Sequence, residues 1–215
     1  MRWSALLLSL LVMAVPSGPS QADAVQTHTW YDDDHDEFRT RGHVDLDLPL
    51  STVTQVAAAF DEYRLWALRK INQKKNGDAF ITLLKDVRFR AGTGKMGAFA
   101  VTYDLDLVWP FGSEGEHLLF AVRTRRPHPA GGIDRLVVGL GEESALLNSF
   151  HLELEATGDE RRSRVSFYAR VEILGVVDTF FTLGRYRRNI EYRIVKVVQN
   201  LGVWLKSRRS VGPPR

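Results

Sequence analysis

Apolar and polar residues alternate through the middle of the chain. Between Phe80 and Ile173 the alternation falls into six runs with the two-residue period of half-buried strands. Ile81, Leu83, Val87 and Phe89 mark the first, and Phe99, Val101, Tyr103, Leu105 and Leu107 the second, with Asp104 and Asp106 on the other face. Leu118, Phe120 and Val122 mark the third, and Ile133 to Leu140 is the fourth. Phe150, Leu152 and Leu154 alternate with His151, Glu153 and Glu155 in the fifth; Val165, Phe167, Ala169, Val171 and Ile173 alternate with Arg164, Ser166, Arg170 and Glu172 in the sixth. Gly92–Gly97, Gly112–Gly115, Pro127–Gly132, Gly141–Ser144 and Gly158–Arg162 supply hairpin loops between them. An earlier strand opens at Phe38, continues through Val44, Leu46 and Leu48 against Asp45 and Asp47, and ends at Pro49.

Helical spacing appears in three places. Thr52 and Gln55 fit a capping box, which starts a helix with Val53, Val56, Ala57 and Phe60 on one face. A second short helix is expected from Arg64 to Ile71, with Leu65, Trp66, Leu68 and Ile71 as its apolar positions and Asn76-Gly77-Asp78 as the closing turn. The last is long. Ile190, Ile194, Val197, Val198, Leu201 and Leu205 form one stripe, with Arg187, Arg188, Glu191, Lys196 and Gln199 elsewhere. Val176 to Leu183 is expected to be helical too, jointed at Gly184, and Gly212-Pro213-Pro214 to fray. The class is α+β. An antiparallel sheet crossed by one helix is not filled by its own side chains, so a cavity between them is the natural result.

The first residues have a different pattern. Ala5 to Val15 is an apolar run broken only by Ser9, too short for the roughly 20 residues of a spanning helix. With Arg2 before it, Pro16 and Pro19 after it and small residues at Ala22 and Ala24, it reads as a secretory signal peptide over residues 1–24 cut before Val25, or as an uncleaved anchor. Residues 25–37 follow as a polar, acidic, unstructured leader, 38–207 as the domain, and 208–215 as a basic flexible tail. The expectation is an exported protein, periplasmic if its source is a Gram-negative bacterium.

Charge adds one feature and cysteine excludes several. The 215 residues carry 29 Lys and Arg against 26 Asp and Glu. Arg185, Arg187, Arg188, Arg193, Lys196, Lys206, Arg208, Arg209 and Arg215 crowd the last helix and tail, facing Glu191 alone. Such a block attracts an anionic membrane, rather than nucleic acid in an exported protein, or is simply a solvated helix face. The chain has no cysteine, which excludes disulfides, thiolate catalysis and Cys-based zinc sites.

The element order, with Val44-Asp45-Leu46-Asp47-Leu48-Pro49-Leu50-Ser51 leading into a helix and then Phe60-Asp61-Glu62-Tyr63-Arg64-Leu65-Trp66, resembles the START-like helix-grip superfamily (SRPBCC), which includes polyketide cyclase-like and coenzyme Q-binding proteins. The resemblance covers Phe38 to Lys206, and departs from many members where Ala67-Leu68 stands in place of a proline after the tryptophan. It implies a curved antiparallel sheet of about seven strands around a long C-terminal helix, with two short helices after the first strand. It also implies a pocket for an apolar small molecule or lipid, such as a sterol, quinone or polyketide. Trp66, Lys85, Phe99, Val101, Tyr103, Phe120, Val122, Phe150, Leu152, Phe167, Phe181, Ile190, Ile194 and Val198 would line it, though core and pocket use the same residue types. Lipid binding or transfer without a cofactor is the expectation. The alternatives are a cyclase or aromatase whose Lys85 and Tyr103 orient a polyketide, and an adaptor with a closed core.

Other constellations point less far. Lys85 shares the inward parity of Ile81, Leu83, Val87 and Phe89, unless a bulge at Lys85-Asp86 turns it outward. Thr124 shares the face of Phe120 and Val122. Gly92-Thr93-Gly94-Lys95-Met96-Gly97 has the letters of a dinucleotide-binding motif but precedes a strand, whereas that motif needs a helix start. His28, His35 and His43 lie by the Asp32–Glu37 block in a spacing that matches no metal loop, so no metal is expected. His117 and His151 fall on the polar parity of their strands.

Overall fold

The structure is a computed structural model that describes residues 24–67, 69, 84–90, 99–105, 116–144, 147–175 and 182–210, with backbone alone at 64, 84–90, 99–105, 116–118, 209 and 210. Eight strands form one antiparallel sheet: β1 (Gln26–Asp32), β2 (Glu37–Leu46), β3 (Leu84–Arg90), β4 (Phe99–Leu105), β5 (Glu116–Pro127), β6 (Ile133–Leu140), β7 (Leu147–Gly158) and β8 (Ser163–Ile173). Their order is β1-β2-β8-β7-β6-β5-β4-β3. The chain therefore crosses from β2 to the far edge through its short helices and meanders back until β8 lies beside β2.

The six strands expected after Phe80 correspond to β3 to β8. The segment expected to be an unstructured leader does not stay free. Gln26 to Asp32 pairs along β2, with Thr29 opposite Thr40 and Tyr31 opposite Phe38. Its apolar content is low because an edge strand buries one face only, and Thr29 does so as a hydroxyl. The acidic block becomes the hairpin turn. Asp32 accepts the Asp34 amide (3.1 Å), meets His35 (3.1 Å) and pairs with Arg39 (2.8 Å), and Tyr31 donates to Asp36. Partial burial pushes the Asp32 carboxyl up, but the His35 hydrogen bond, the Arg39 charge and the amide outweigh it and hold it below its ordinary value. Among the described residues no cluster of three His, Cys, Asp or Glu could hold a metal.

Helix α1 (Leu50–Ala58) starts without the expected capping box. Pro49 is its N-cap, and its carbonyl takes the Thr52 and Val53 amides (3.1 and 3.4 Å), so Thr52 is already inside the first turn. The helix is pinned across hairpin tips. The Leu50 amide donates to Asp159 of the β7–β8 turn (2.9 Å), and Thr54, a buried polar residue, donates to Ser51 and to Gly131 of the β5–β6 turn (3.0 and 3.2 Å). A 3₁₀ turn (Phe60–Glu62) leads to α2 (Tyr63–Trp66). Tyr63 and Trp66 face the core with rings 4.8 Å apart, while Leu65, expected among the apolar positions, is exposed.

The C-terminal helix begins at α3 (Leu183–Tyr186), where the Thr182 hydroxyl accepts the Arg185 amide. A five-residue π segment (Arg187–Glu191) connects it to α4 (Tyr192–Ser210). The expected joint at Gly184 is regular α-helix, and the departure from α geometry comes one turn later. Ile194, Val198 and Leu205 are buried, as the stripe requires. Arg193 and Asn200 are buried too, against the expectation of a solvated basic face. Arg193 donates to the Asn189 carbonyl (2.5 Å), and Asn200 donates to the carbonyls of Ala67 and Arg69 (3.0 and 2.8 Å), which joins α4 to the end of α2. Within the described residues no helix is long and apolar enough to cross a membrane.

Candidate functional site

The interior lies between the sheet and the C-terminal helix, which follows β2. Tyr186 stacks on Phe38 at one end of that strand, and Gly202 approaches Leu46 at the other. Inner-face residues of β8 (Val165, Phe167, Ala169, Val171 and Ile173) are buried beneath it. Gly42 leaves room for the Phe167 ring, since a Cβ there would fall 2.5 Å from it.

Strand β7 behaves differently. Phe150, Leu152 and Leu154 face inward and are half-buried, although buried residues flank them on β8 and, at Leu136 and Val138, on β6. Val122 of β5, Ile190 and Val197 of the helix, and Phe60 of the α1–α2 junction are also half-buried and pack against the same core. Leu152, Leu154, Ile190 and Val197 touch both halves of that core. Among the described residues, these half-buried apolar side chains of sheet and helix are the candidate lining of an apolar site.

Of the residues expected to line a pocket, Val122, Phe150, Leu152 and Ile190 are half-buried and pack against the core. Phe120 is buried and makes an edge-on contact with Phe150 at 4.6 Å. Trp66, Phe167, Ile194 and Val198 are packed in the buried core. The side chains of Lys85, Phe99, Val101 and Tyr103, all of Phe181, residues 1–23, the Gly92–Gly97 loop and the 176–181 segment lie outside the described residues. The backbone decides one question at Lys85: pairing passes from Leu84–Leu105 to Asp86–Asp104, so Lys85 is the extra residue of an irregularity that interrupts the alternation. Thr124 is not on the inner face. A register shift at Arg123 sets it opposite Val137 and leaves it exposed.

Sequence reasoning passed over a buried polar relay. The hydroxyls of Thr29 and Thr40 are 3.0 Å apart, and Thr40 donates to Tyr186 (3.2 Å). Burial pushes the Tyr186 phenol well above its ordinary value against the smaller effect of the Thr40 hydrogen bond, and the Tyr63 phenol rises for the same reason. Both are neutral near pH 7. Beside the relay, Arg187 donates to the Thr29 carbonyl (2.7 Å) and Thr27 to Glu191 (3.0 Å), so the π segment covers edge strand β1.

No family model matches the chain, and no curated protein sequence matches it. Solved structures do. The Zhui aromatase/cyclase from Streptomyces sp. R1128 superposes with a TM-score of 0.53 at 14% identity, over 83% of this chain and 99% of that one. A START superfamily protein from Mycobacterium smegmatis gives 0.48 at 10% identity, over 79% and 98%. A STAR-related lipid transfer protein fragment from Xanthomonas axonopodis gives 0.49 at 10%, over 88% and 97%. The chain has the helix-grip fold of the aromatase/cyclase. Strand β1 forms one edge of the sheet, and the π segment lies over that edge.

Proposed function

We propose that the chain is an exported binding protein that holds an apolar ligand, a lipid, sterol or quinone, between the sheet and the C-terminal helix. The observation that carries this reading is the half-buried set Phe150, Leu152 and Leu154 opposite Ile190 and Val197. Covering a Leu or Phe side chain completely is worth about 1.5–3 kcal/mol, so a hydrocarbon seated there gains affinity from several side chains at once. The polar groups at the helix end of the interior, Thr29, Thr40 and Tyr186, are committed to one another and leave the space its apolar character.

Export rests on the apolar run Ala5–Val15 and on Ala22-Asp23-Ala24, and a cut before Val25 leaves β1 whole. Exposed Arg185, Arg188 and Lys206 on the helix would bring the protein to an anionic membrane during exchange. Organic extracts of protein purified from its native envelope, read by mass spectrometry, test the reading. A co-purifying lipid, sterol or quinone is the expected result; an empty extract together with no transfer of labelled lipid between vesicles overturns it.

A second reading, a cyclase- or aromatase-type enzyme acting on an apolar substrate in the same space, draws support from the fold shared with the Streptomyces aromatase/cyclase. It predicts turnover that falls in Lys85→Met. A chain that carries lipid and shows no such turnover rules it out.

A further inference from the structure

The outer face of the sheet is organised by charge pairs across strands. Arg164 of β8 holds Asp45 of β2 through two hydrogen bonds (2.6 and 2.9 Å), Arg135 of β6 holds Glu153 of β7 (2.7 Å), and Arg126 of β5 holds Asp134 and Glu155 (2.7 and 2.8 Å). Arg126 itself stands opposite Arg135, each relieved by its acids, and a second row sets basic side chains against one another. The register sets Arg39 opposite Arg170, Arg170 opposite His151, and His151 opposite Gly139. Side chains directly opposite in antiparallel strands stand about 5 Å apart at Cβ, and like charges placed there are destabilising.

Arg39 is neutralised by Asp32 and Glu37 (2.8 and 2.6 Å). Arg170 and Arg123 have no carboxylate partner among the described residues. Arg123 is the extra residue of the β5 irregularity, and its side chain lies over Gly139, where a Cβ would fall 2.3 Å from Nε. One of its guanidinium nitrogens donates to the Leu140 carbonyl (3.2 Å). Gly139 is thus the floor on which the guanidinium lies beside His151. The Nε of Arg170 is buried and has no acceptor.

Burial first, and then the charges of Arg170, Arg123 and Arg135, hold the His151 imidazole below its ordinary value. Glu153 opposes them from 4.0 Å, but its carboxylate is taken by Arg135. Glu172, the next outward residue on β8, accepts a hydrogen bond from Asn148 (2.9 Å). Arg123 and Arg170, from β5 and β8, therefore flank the His151 imidazole of β7 with no carboxylate paired to either guanidinium among the described residues.

We propose that Arg123, His151 and Arg170 form a binding site for a phosphate-type oxyanion, supplied by the headgroup of an anionic phospholipid or by free phosphate. Two guanidinium forks and an imidazole suit three oxygens on one centre, and the anion would relieve the like-charge row. This site is on the opposite face of the sheet from the apolar interior, and neither depends on the other.

The test uses the whole protein, with the His151 ring signal followed by NMR against pH. Inorganic phosphate is compared with chloride at equal ionic strength, and phosphatidylcholine vesicles with and without phosphatidylglycerol are the second probe. Bound phosphate is expected to raise the His151 pKa by about one unit. Arg170→Gln and Arg123→Gln, the latter at an exposed position that leaves folding intact, are each expected to weaken binding about tenfold. Arg164→Gln, which breaks an ordinary pair, is expected to leave it unchanged. A response to phosphate alone assigns free phosphate; adsorption to phosphatidylglycerol vesicles that is lost in both variants assigns the lipid headgroup. Silence toward both probes, or variants that respond as the parent does, overturns the site.

Discussion

Tyr186 lies flat on Phe38, with ring centroids 4.5 Å apart and planes 7° from parallel, and its hydroxyl accepts from Thr40 of the same strand. One side chain thus joins the C-terminal helix to β2 through both an apolar and a polar contact. Tyr186→Phe keeps the stack and leaves a buried hydroxyl short of one partner, so a loss of about 1–2 kcal/mol is expected in urea unfolding. Tyr186→Ala removes both contacts and should cost about 3–5 kcal/mol.

Strand β1 is part of the domain. A chain beginning at Val25 should fold, whereas one beginning at Phe38 exposes the β2 edge and strips Thr40 and Arg187 of their partners on Thr29. The shorter chain is expected to have a lower melting temperature and to aggregate, as read by calorimetry and light scattering.

Neighbouring glycines of the β5–β6 turn should differ. Gly131 and Gly132 both have positive φ (85° and 92°), but a Cβ on Gly131 meets nothing while one on Gly132 falls 2.4 Å from the Thr54 carbonyl. Gly131→Ala should cost about 1 kcal/mol from backbone strain. Gly132→Ala should cost about 3 kcal/mol or more, because α1 must also move.

Acid should weaken the fold in two stages. His151 sits below its ordinary 6.5, chiefly through burial, so the unfolded chain binds the extra proton and stability falls as pH drops through 6.5. Asp45 and Glu153 are held below their ordinary 3.8 and 4.5, chiefly by hydrogen bonds from Arg164 and Arg135. Their contribution is present above those values and is lost as pH falls below them. Both pairs are substantially solvent-exposed, so the second stage is expected to be shallow. His151→Gln should remove the first stage of a pH series of urea midpoints, and Asp45→Asn with Glu153→Gln should flatten the second.

Filling the interior should separate binding from folding. Leu152→Trp enters half-buried space and is expected to reduce co-purifying ligand several-fold while changing stability by no more than about 1 kcal/mol. Val198→Ala, in the packed core, should do the reverse, lowering stability by about 1–3 kcal/mol with ligand retained.

Much of the fold was legible because period is a local property. The alternation of Val165, Phe167, Ala169, Val171 and Ile173 and the stripe of Ile194, Val198 and Leu205 put these side chains inside whatever their partners are. Part of the interior was legible for the same reason, since Phe150 and Leu152 share the inward parity of β7. Whether an inward side chain is packed or left accessible depends on what faces it. Phe167 and Leu152 are alike in pattern and differ in burial, which the period of their own strands does not set.

By itself, then, the sequence determined the class, the order of the described strands and helices from Phe38 onward, the inward parity of β2, β7 and β8 and the apolar stripe of the last helix. Tertiary structure alone decided that Gln26–Asp32 joins the sheet, that the alternation breaks at Lys85 and Arg123, and that Arg193 and Asn200 are buried. It also set Arg39, Arg170 and His151 in one row. The physical reason is the same in each case. Parity follows from the geometry of one strand, whereas pairing, bulges and polar burial depend on groups supplied by segments far away in the chain.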